Sequence, residues 1–274
     1  MAVAFMTCVS LAHVHGQGRP VTEEFRLHES FHSKFLPKDR DVIVWLPPDY
    51  KTNTTKRYPV LYMHDGMSVF ANWRLDETAS ALINNKQIEP LILVCVGNGG
   101  TSDDRFDDYT PTRDPGYAKS GNANNYGRML IEELKPFVDA RYRTLTDASN
   151  TGLGGASLGG LVTLYLGLKH PAKFGRLAVL SPSIWWDRGM ILREVKALGS
   201  KPSLRIWLDV GTEEERGRTN VTKLLRDALT AKGWVLESDL TYFEAKGASH
   251  NEEAFALRGA RFLKFLFPYR PEVK

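Results

Sequence analysis

The chain is poor in cysteine: its 274 residues include only Cys8 and Cys95, and Cys95 lies inside the apolar run 91–96. A structural disulfide is therefore not expected, and a buried free thiol is the simpler interpretation of Cys95. The sequence contains no C-x-x-C pair and no H-E-x-x-H segment, so it gives no support to a zinc site. We expect neither a metal ion nor an organic cofactor.

Dense basic segments and long apolar segments are absent as well. The 36 Lys and Arg residues are spread along the chain, and the formal net charge is only +4, which argues against nucleic acid as a partner. No apolar run reaches the ~20 residues that a membrane-spanning helix needs. A small molecule or a carbohydrate-linked group is the expected kind of partner.

The first eighteen residues have features of a secretory signal peptide. Residues 2–11 are mostly apolar, and the small residues Val14 and Gly16 could precede a cleavage site. The basic start of such a signal is missing, because the first Lys or Arg is Arg19. We predict a signal peptide at 1–18 and export to the periplasm or the medium; the alternative is a disordered extension of a cytoplasmic protein. Residues 19–274 are predicted to form one domain.

The rest of the chain alternates between apolar runs and helical patterns, which predicts an α/β fold with a mostly parallel central sheet covered by helices on both faces. Residues 25–31 and 41–48, joined by a turn at 36–40, predict an antiparallel hairpin before that sheet. Further strands are predicted at 59–64, 90–97, 151–156, 176–181 and 204–210. Helices are predicted at 79–84, 125–142, 158–169, 190–198, 219–232 and 252–267. The segment 97–124 is the longest irregular stretch, and a loop of that length in a compact domain is usually functional.

The pentapeptide Gly155-Ala156-Ser157-Leu158-Gly159 follows a predicted strand and precedes a predicted helix. This is the context of a nucleophile elbow, a sharp turn in which glycines avoid collisions on either side of the serine. The competing interpretations are a dinucleotide-binding loop and a glycine-rich turn without chemistry. A G-x-G-x-x-G match that begins at Gly152 would place Ser157 at its third glycine, so the first of these fits poorly.

A catalytic serine needs a general base and a carboxylate that orients this base. Among seven histidines, His64 and His250 fall where a strand meets a loop, and His250 comes last, as the order Ser, acid, His requires. The acid is expected after the strand at 204–210, where Glu214 ranks first, ahead of Asp209 and Glu213. The alternative interpretation of this glutamate-rich run is a solvated turn.

The reaction also needs two backbone N–H donors for the oxyanion. Leu158, directly after the serine, is expected to supply one, and Met67, after Gly66, the other. His64 and Asp65 are then interpreted as residues that shape this loop.

Eight segments carry a family resemblance: Trp-Leu-Pro-Pro-Asp-Tyr at 45–50, His-Asp-Gly at the end of 58–66, 109–111, 133–137, 155–160, 180–186, Gly-Thr-Glu-Glu at 211–214 and Gly-Ala-Ser-His-Asn at 247–251. Together they resemble the esterase family that includes esterase D, feruloyl and acetyl-xylan esterases, trilactone siderophore esterases and mycolyltransferases. The resemblance covers nearly the whole chain after residue 18 and implies the α/β-hydrolase fold. It also implies Ser157 as nucleophile, His250 as base, Glu214 as the acid at the family's Gly-Thr-x-Glu/Asp position, and Met67 with Leu158 as the oxyanion pair. Some siderophore esterases of this family use a Ser–His dyad.

The aromatic residues near the predicted site indicate a pocket for flat or bulky groups such as hydroxycinnamoyl or catechoyl esters. The predicted wall consists of Phe70, Trp73, Tyr109, Tyr126, Trp185 and Trp186. Arg105 is expected to meet an anionic substrate or to pair with a neighbouring aspartate. The aspartates at 103–108 could hold calcium, but a solvated loop explains them better.

The function that these residues imply is a serine carboxylic-ester hydrolase that forms an acyl-enzyme and acts on feruloyl-type, acetyl or siderophore-type esters. Two alternatives use the same residues: an acyltransferase with the same triad, and a non-catalytic carbohydrate- or siderophore-binding module.

Overall fold

The computed structural model describes residues 24–271. The predicted signal peptide and Cys8 lie outside the described residues, so export stays a prediction. In the described part of the chain no helix has both the length and the apolar character needed to cross a membrane.

Eight strands form one sheet in the order β1-β2-β4-β3-β5-β6-β7-β8. The first two strands pair antiparallel, as the predicted hairpin requires, and β2 is antiparallel to β4. All the other pairs are parallel. The predicted α/β fold with a mostly parallel sheet is confirmed. The strands are β1 Phe25–Phe31, β2 Arg40–Trp45, β3 Val60–Met63, β4 Ile92–Val96, β5 Thr151–Ala156, β6 Arg176–Leu180, β7 Arg205–Gly211 and β8 Leu240–Ala245.

Helices connect the strands on both faces of the sheet, and two of the predicted helices are interrupted. The segment predicted at 125–142 contains a π-helical turn, Met129–Leu134, and the one predicted at 252–267 divides into two helices. The α-helices are α1 Gly66–Ser68, α2 Leu75–Asn84, α3 Ser102–Tyr109, α4 Ala123–Arg128, α5 Lys135–Arg141, α6 Leu158–Lys169, α7 Met190–Ala197, α8 Arg218–Ala231, α9 Glu252–Ala256 and α10 Gly259–Leu266. A second π-helical turn, Val69–Trp73, joins α1 to the segment before α2.

The core lies on both faces because side chains alternate along each strand. Val60 and Tyr62 of β3 contribute to one apolar cluster, whereas Leu61 and Met63 contribute to the other. Helix α6 packs into the first cluster and α10 into the second. Since the strands are buried on both sides, polar side chains with chemical roles are expected at the carboxyl ends of the strands.

The segment 97–124 is not wholly irregular, because it contains α3. Thr101 caps this helix: its hydroxyl oxygen accepts a hydrogen bond from the N–H of Asp104. The helix is rich in aspartate and lacks an apolar period, so hydrophobic patterning could not predict it.

Candidate active site

Ser157 occupies the turn between β5 and α6 with φ 60° and ψ −120°, a conformation that side-chain-bearing residues rarely adopt. Glycine is required beside it. A Cβ on Gly155 would lie 3.0 Å from the backbone of Gly159, and a Cβ on Gly160 would lie 2.7 Å from the carbonyl oxygen of Leu180. The turn therefore has the tight geometry of a nucleophile elbow and holds Ser157 at the carboxyl edge of the sheet.

His250 and Glu214 meet beyond the ends of β8 and β7. Nδ1 of His250 lies 2.8 Å from Oε2 of Glu214, whose side chain is only 1% exposed. The other carboxylate oxygen, Oε1, accepts hydrogen bonds from the N–H of Gly211 (2.7 Å) and from the hydroxyl of Ser181. Burial disfavours the ionised carboxylate, but the hydrogen bonds from His250, Ser181 and Gly211 outweigh it and hold the pKa of Glu214 below its usual value.

The structure separates the three candidate acids by their surroundings. Asp209 lies inside β7, fully buried, where it accepts hydrogen bonds from Trp207 (2.7 Å) and Arg258 (2.5 Å). Glu213 is exposed. Of the three, Glu214 is the one that contacts His250.

The loop after β3 consists of His64 and Asp65, and the φ of Asp65, 54°, lies in the left-handed region. Gly66 follows, and a Cβ there would lie 2.3 Å from the backbone of Cys95. The loop then enters α1, and Met67 lines the cavity beside Ser157. Leu158 is the first residue of α6. The first N–H groups of a helix have no intrahelical acceptor, so the amides of Met67 and Leu158 are of the kind that can bind an oxyanion.

Arg105 connects this loop to the serine turn. Its Nε and Nη2 donate to the two carboxylate oxygens of Asp65, each at 2.8 Å, and Nη2 also lies 3.3 Å from the carbonyl oxygen of Ala156. Of the two expectations for Arg105, pairing with an aspartate is the one observed, although the partner is Asp65 rather than an aspartate of α3. A bidentate pair fixes both position and orientation.

A cavity of about 900 Å³ opens beside Ser157 and His250. Trp73 and Arg105 line it, as predicted for the pocket, together with Met67 and Phe255. The indole N–H of Trp73 donates to Glu252.

The predicted aromatic wall is wrong for most of its members. Tyr109 and Trp186 are fully buried, Phe70 and Tyr126 are core residues, and Trp185 is exposed but is not among the described residues that line the cavity. Tyr109 instead accepts a hydrogen bond from the N–H of Asp65 at 3.0 Å, and the Trp186 indole donates to Thr112 at 3.1 Å. Aromatic side chains bury large apolar areas, so these residues contribute to the core even though they lie near site residues in the sequence.

Sequence reasoning missed two polar residues behind Glu214. Ser181, with φ 40°, donates to Glu214 and accepts a hydrogen bond from Arg258 at 3.0 Å. Nη2 of Arg258 lies 3.7 Å from Oε1 of Glu214. The position of Ser181 directly after β6 could have indicated a role in the site, because the site forms at the carboxyl ends of the strands. Arg258 lies beyond α9, and nothing in its sequence position indicates such a role.

His64 shapes its loop, as expected. It is 1% exposed, and its Nδ1 lies 2.8 Å from the hydroxyl of Tyr126. Burial lowers the pKa of His64 to about 4.

With this geometry established, comparison with known proteins identifies the family. Residues 33–258 match the model of the family described as "Putative esterase". The chain belongs to this esterase family. This esterase is 27% identical over 244 residues to the uncharacterized protein YbbA of Bacillus subtilis (strain 168), an alignment that covers 84% of this chain and 93% of YbbA.

Two other relatives of this esterase have names that state an activity. It is 27% identical over 216 residues to an endo-1,4-beta-xylanase/feruloyl esterase of Xylanibacter ruminicola, covering 76% of this chain and 27% of that protein. It is 28% identical over 189 residues to the iron(III) enterobactin esterase of Escherichia coli (strain K12), covering 66% of this chain and 44% of that protein. The crystal structure of the BES protein from Bacillus cereus has the same fold, with a TM-score of 0.75, 22% identity, and coverage of 93% of this chain and 99% of that one. The family and these relatives indicate an ester hydrolase.

Proposed function

We propose that this esterase cleaves carboxylic esters through an acyl-enzyme formed on Ser157. The observation that carries the proposal is the His250–Glu214 contact of 2.8 Å at a cavity that both His250 and Ser157 line. A serine on an elbow, a histidine at the same cavity and a buried carboxylate behind that histidine are the parts that nucleophilic acyl transfer needs.

In the proposed reaction His250 Nε2 takes the proton of Ser157 as Oγ attacks the ester carbon. The resulting oxyanion accepts hydrogen bonds from the N–H groups of Met67 and Leu158. Glu214 accepts the Nδ1–H of His250, which sets the tautomer and stabilises the imidazolium. When the C–O bond breaks, His250 gives its proton to the leaving alcohol. Water then attacks the acyl-enzyme by the same steps and releases the acid.

Acetyl, feruloyl-type or siderophore-type esters are the proposed substrates. The names of the xylanase/feruloyl esterase and the iron(III) enterobactin esterase support this range. Trp73 and Phe255 also line the cavity, but they are only 5% and 4% exposed, so the proposed range rests on the names of the relatives rather than on an aromatic wall.

The test is hydrolysis of p-nitrophenyl acetate and labelling by a fluorophosphonate that reacts with activated serines. The wild type is expected to hydrolyse the ester and to carry one label on the peptide that contains Ser157. Ser157→Ala is expected to lose kcat by at least ~1000-fold and to remain unlabelled. Ser203→Ala, at a site on the other edge of the sheet, serves as the control and should behave as the wild type. Equal rates for wild type and Ser157→Ala would refute the proposal.

A further inference from the structure

Carboxylates from two distant parts of the chain line the cavity beside Ser157. Asp39 and Asp41 lie at the start of β2, and Glu252 is the first residue of α9. Two of them are held in place by hydrogen bonds: the N–H of Ser30 donates to Asp41 at 2.9 Å, and the indole of Trp73 donates to Glu252. Negative charge is therefore a built part of the cavity, contributed by the β1–β2 hairpin on one side and by α9 on the other.

The positive charge in the described lining of the cavity is already paired. Among the described residues that line it, Arg105 is the only Lys or Arg, and the two carboxylate oxygens of Asp65 take up its charge. Lys38 approaches the edge, where Nζ lies 3.3 Å from the carbonyl oxygen of Gly99, but it does not line the cavity and it shares Asp104 (2.6 Å) with Lys119 (2.7 Å). His32 faces Asp39 from outside, with Nδ1 at 2.9 Å. The described lining thus contains four carboxylates, those of Asp39, Asp41, Asp65 and Glu252, and one guanidinium, that of Arg105.

We infer that this cavity selects esters by charge: it favours esters with a cationic group, accepts uncharged ones and disfavours anionic ones. The inference rests on the proposed hydrolysis at Ser157. An anionic substrate would meet Asp39, Asp41 and Glu252, and the one guanidinium among the described lining residues, that of Arg105, is already paired with Asp65. A cationic group would instead gain the attraction of these three carboxylates. Within the proposed substrate range, neutral acetyl and feruloyl-type esters fit the cavity, and iron-bound catecholates, which are anions, do not.

Three p-nitrophenyl esters with acyl chains of equal length test the inference. Their chains end in a methyl group, a trimethylammonium group or a carboxylate, and kcat/KM is measured at low salt and at high salt. We expect the wild type to prefer the cationic over the anionic ester by about tenfold at low salt, since the carboxylates are exposed and each contributes modestly. High salt should reduce this preference, because it screens charges at an open cavity.

The variant Asp41→Asn/Glu252→Gln is expected to bring the ratio of cationic to anionic kcat/KM close to one. Glu253→Gln is the matched control, since Glu253 is the next residue of α9 and does not line this cavity; its ratio should equal that of the wild type. An anionic ester hydrolysed as well as the cationic one, or a ratio that the double substitution leaves unchanged, would overturn the inference while hydrolysis of the methyl-ended ester continues to support the proposed function. Absence of Ser157-dependent hydrolysis of all three esters would overturn both.

Discussion

Arg258 and Asp209 form an ion pair in the interior, with Nη1 2.5 Å from Oδ1 and side chains that are 2% and 0% exposed. The pair stands directly behind Glu214: Nη1 of Arg258 also donates to Ser181, which in turn donates to Glu214. One buried cation thus faces two carboxylates. Burial raises the pKa of Asp209 to about 6, although Arg258 opposes this shift.

Removing Arg258 alone should be costly. Arg258→Met leaves Asp209 and Glu214 buried without their cation, and we expect the free energy of unfolding to fall by about 3–5 kcal/mol. Urea denaturation at neutral pH measures the change. Asp209→Asn/Arg258→Met removes one of the uncompensated charges as well, so it should be more stable than the single variant; the opposite order would contradict a charge-pairing role.

Glu214→Gln should lower kcat for p-nitrophenyl acetate by at least ~100-fold, because glutamine has no charge to stabilise the imidazolium of His250. Glu215→Gln is the matched control, since Glu215 is the adjacent residue and its side chain is 78% exposed. Glu213→Gln tests the other glutamate of the same turn. A loss of activity in Glu213→Gln that equals the loss in Glu214→Gln would show that proximity to His250 does not select the acid.

Gly66→Ala probes the proposed oxyanion loop, His64–Met67, whose backbone N–H groups cannot be removed by substitution. The new Cβ would collide with the backbone of Cys95 and displace the amide of Met67. We expect kcat to fall about 100-fold with a much smaller change in KM, because the oxyanion exists only in the transition state and intermediate. Gly199→Ala, which meets no atom within 4 Å, controls for the substitution itself. A rise in KM at constant kcat would point to a substrate-binding defect instead.

His64 should make stability depend on pH. Burial lowers the pKa of His64 from its ordinary value of 6.5 to about 4 in the folded protein, so between these two pH values the unfolded chain binds the proton more readily. The stability that the protein gains from a neutral, buried His64 is fully present above pH 6.5 and is lost as the pH falls towards 4. At pH 5 the loss in the free energy of unfolding amounts to about 2 kcal/mol.

Urea denaturation of the wild type and of His64→Asn, at pH 7.5 and pH 5, isolates this contribution. Other titrating groups, such as His28 and His170, are present in both proteins and cancel in the difference. We expect the wild type to lose more stability than His64→Asn on acidification. An equal loss in both proteins would show that His64 does not carry this pH dependence.

The alternation of apolar runs and helical patterns predicted seven of the eight strands and most helices, because each depends on periodicities within one segment. The edge strand β8, Leu240–Ala245, was not among the predicted strands. Helix α3 was not predicted, because it is stabilised by a capping threonine and by contacts of its aspartates rather than by an apolar stripe. The sequence also shows no clear pattern that would predict the break at 257–258 in the last predicted helix. The guanidinium of Arg258 is buried there against Asp209, a partner 49 residues away.

The sequence by itself determined the serine turn. Its glycines are required by collisions within a few residues, and that requirement is visible as a motif; the loop after β7 similarly placed Glu214 among few candidates. Only the tertiary structure decided which carboxylate contacts His250, which aromatic residues reach the cavity, and that Arg105 is paired with Asp65. These depend on contacts between segments far apart in the chain, where burial and charge compensation choose among residues of equal local suitability.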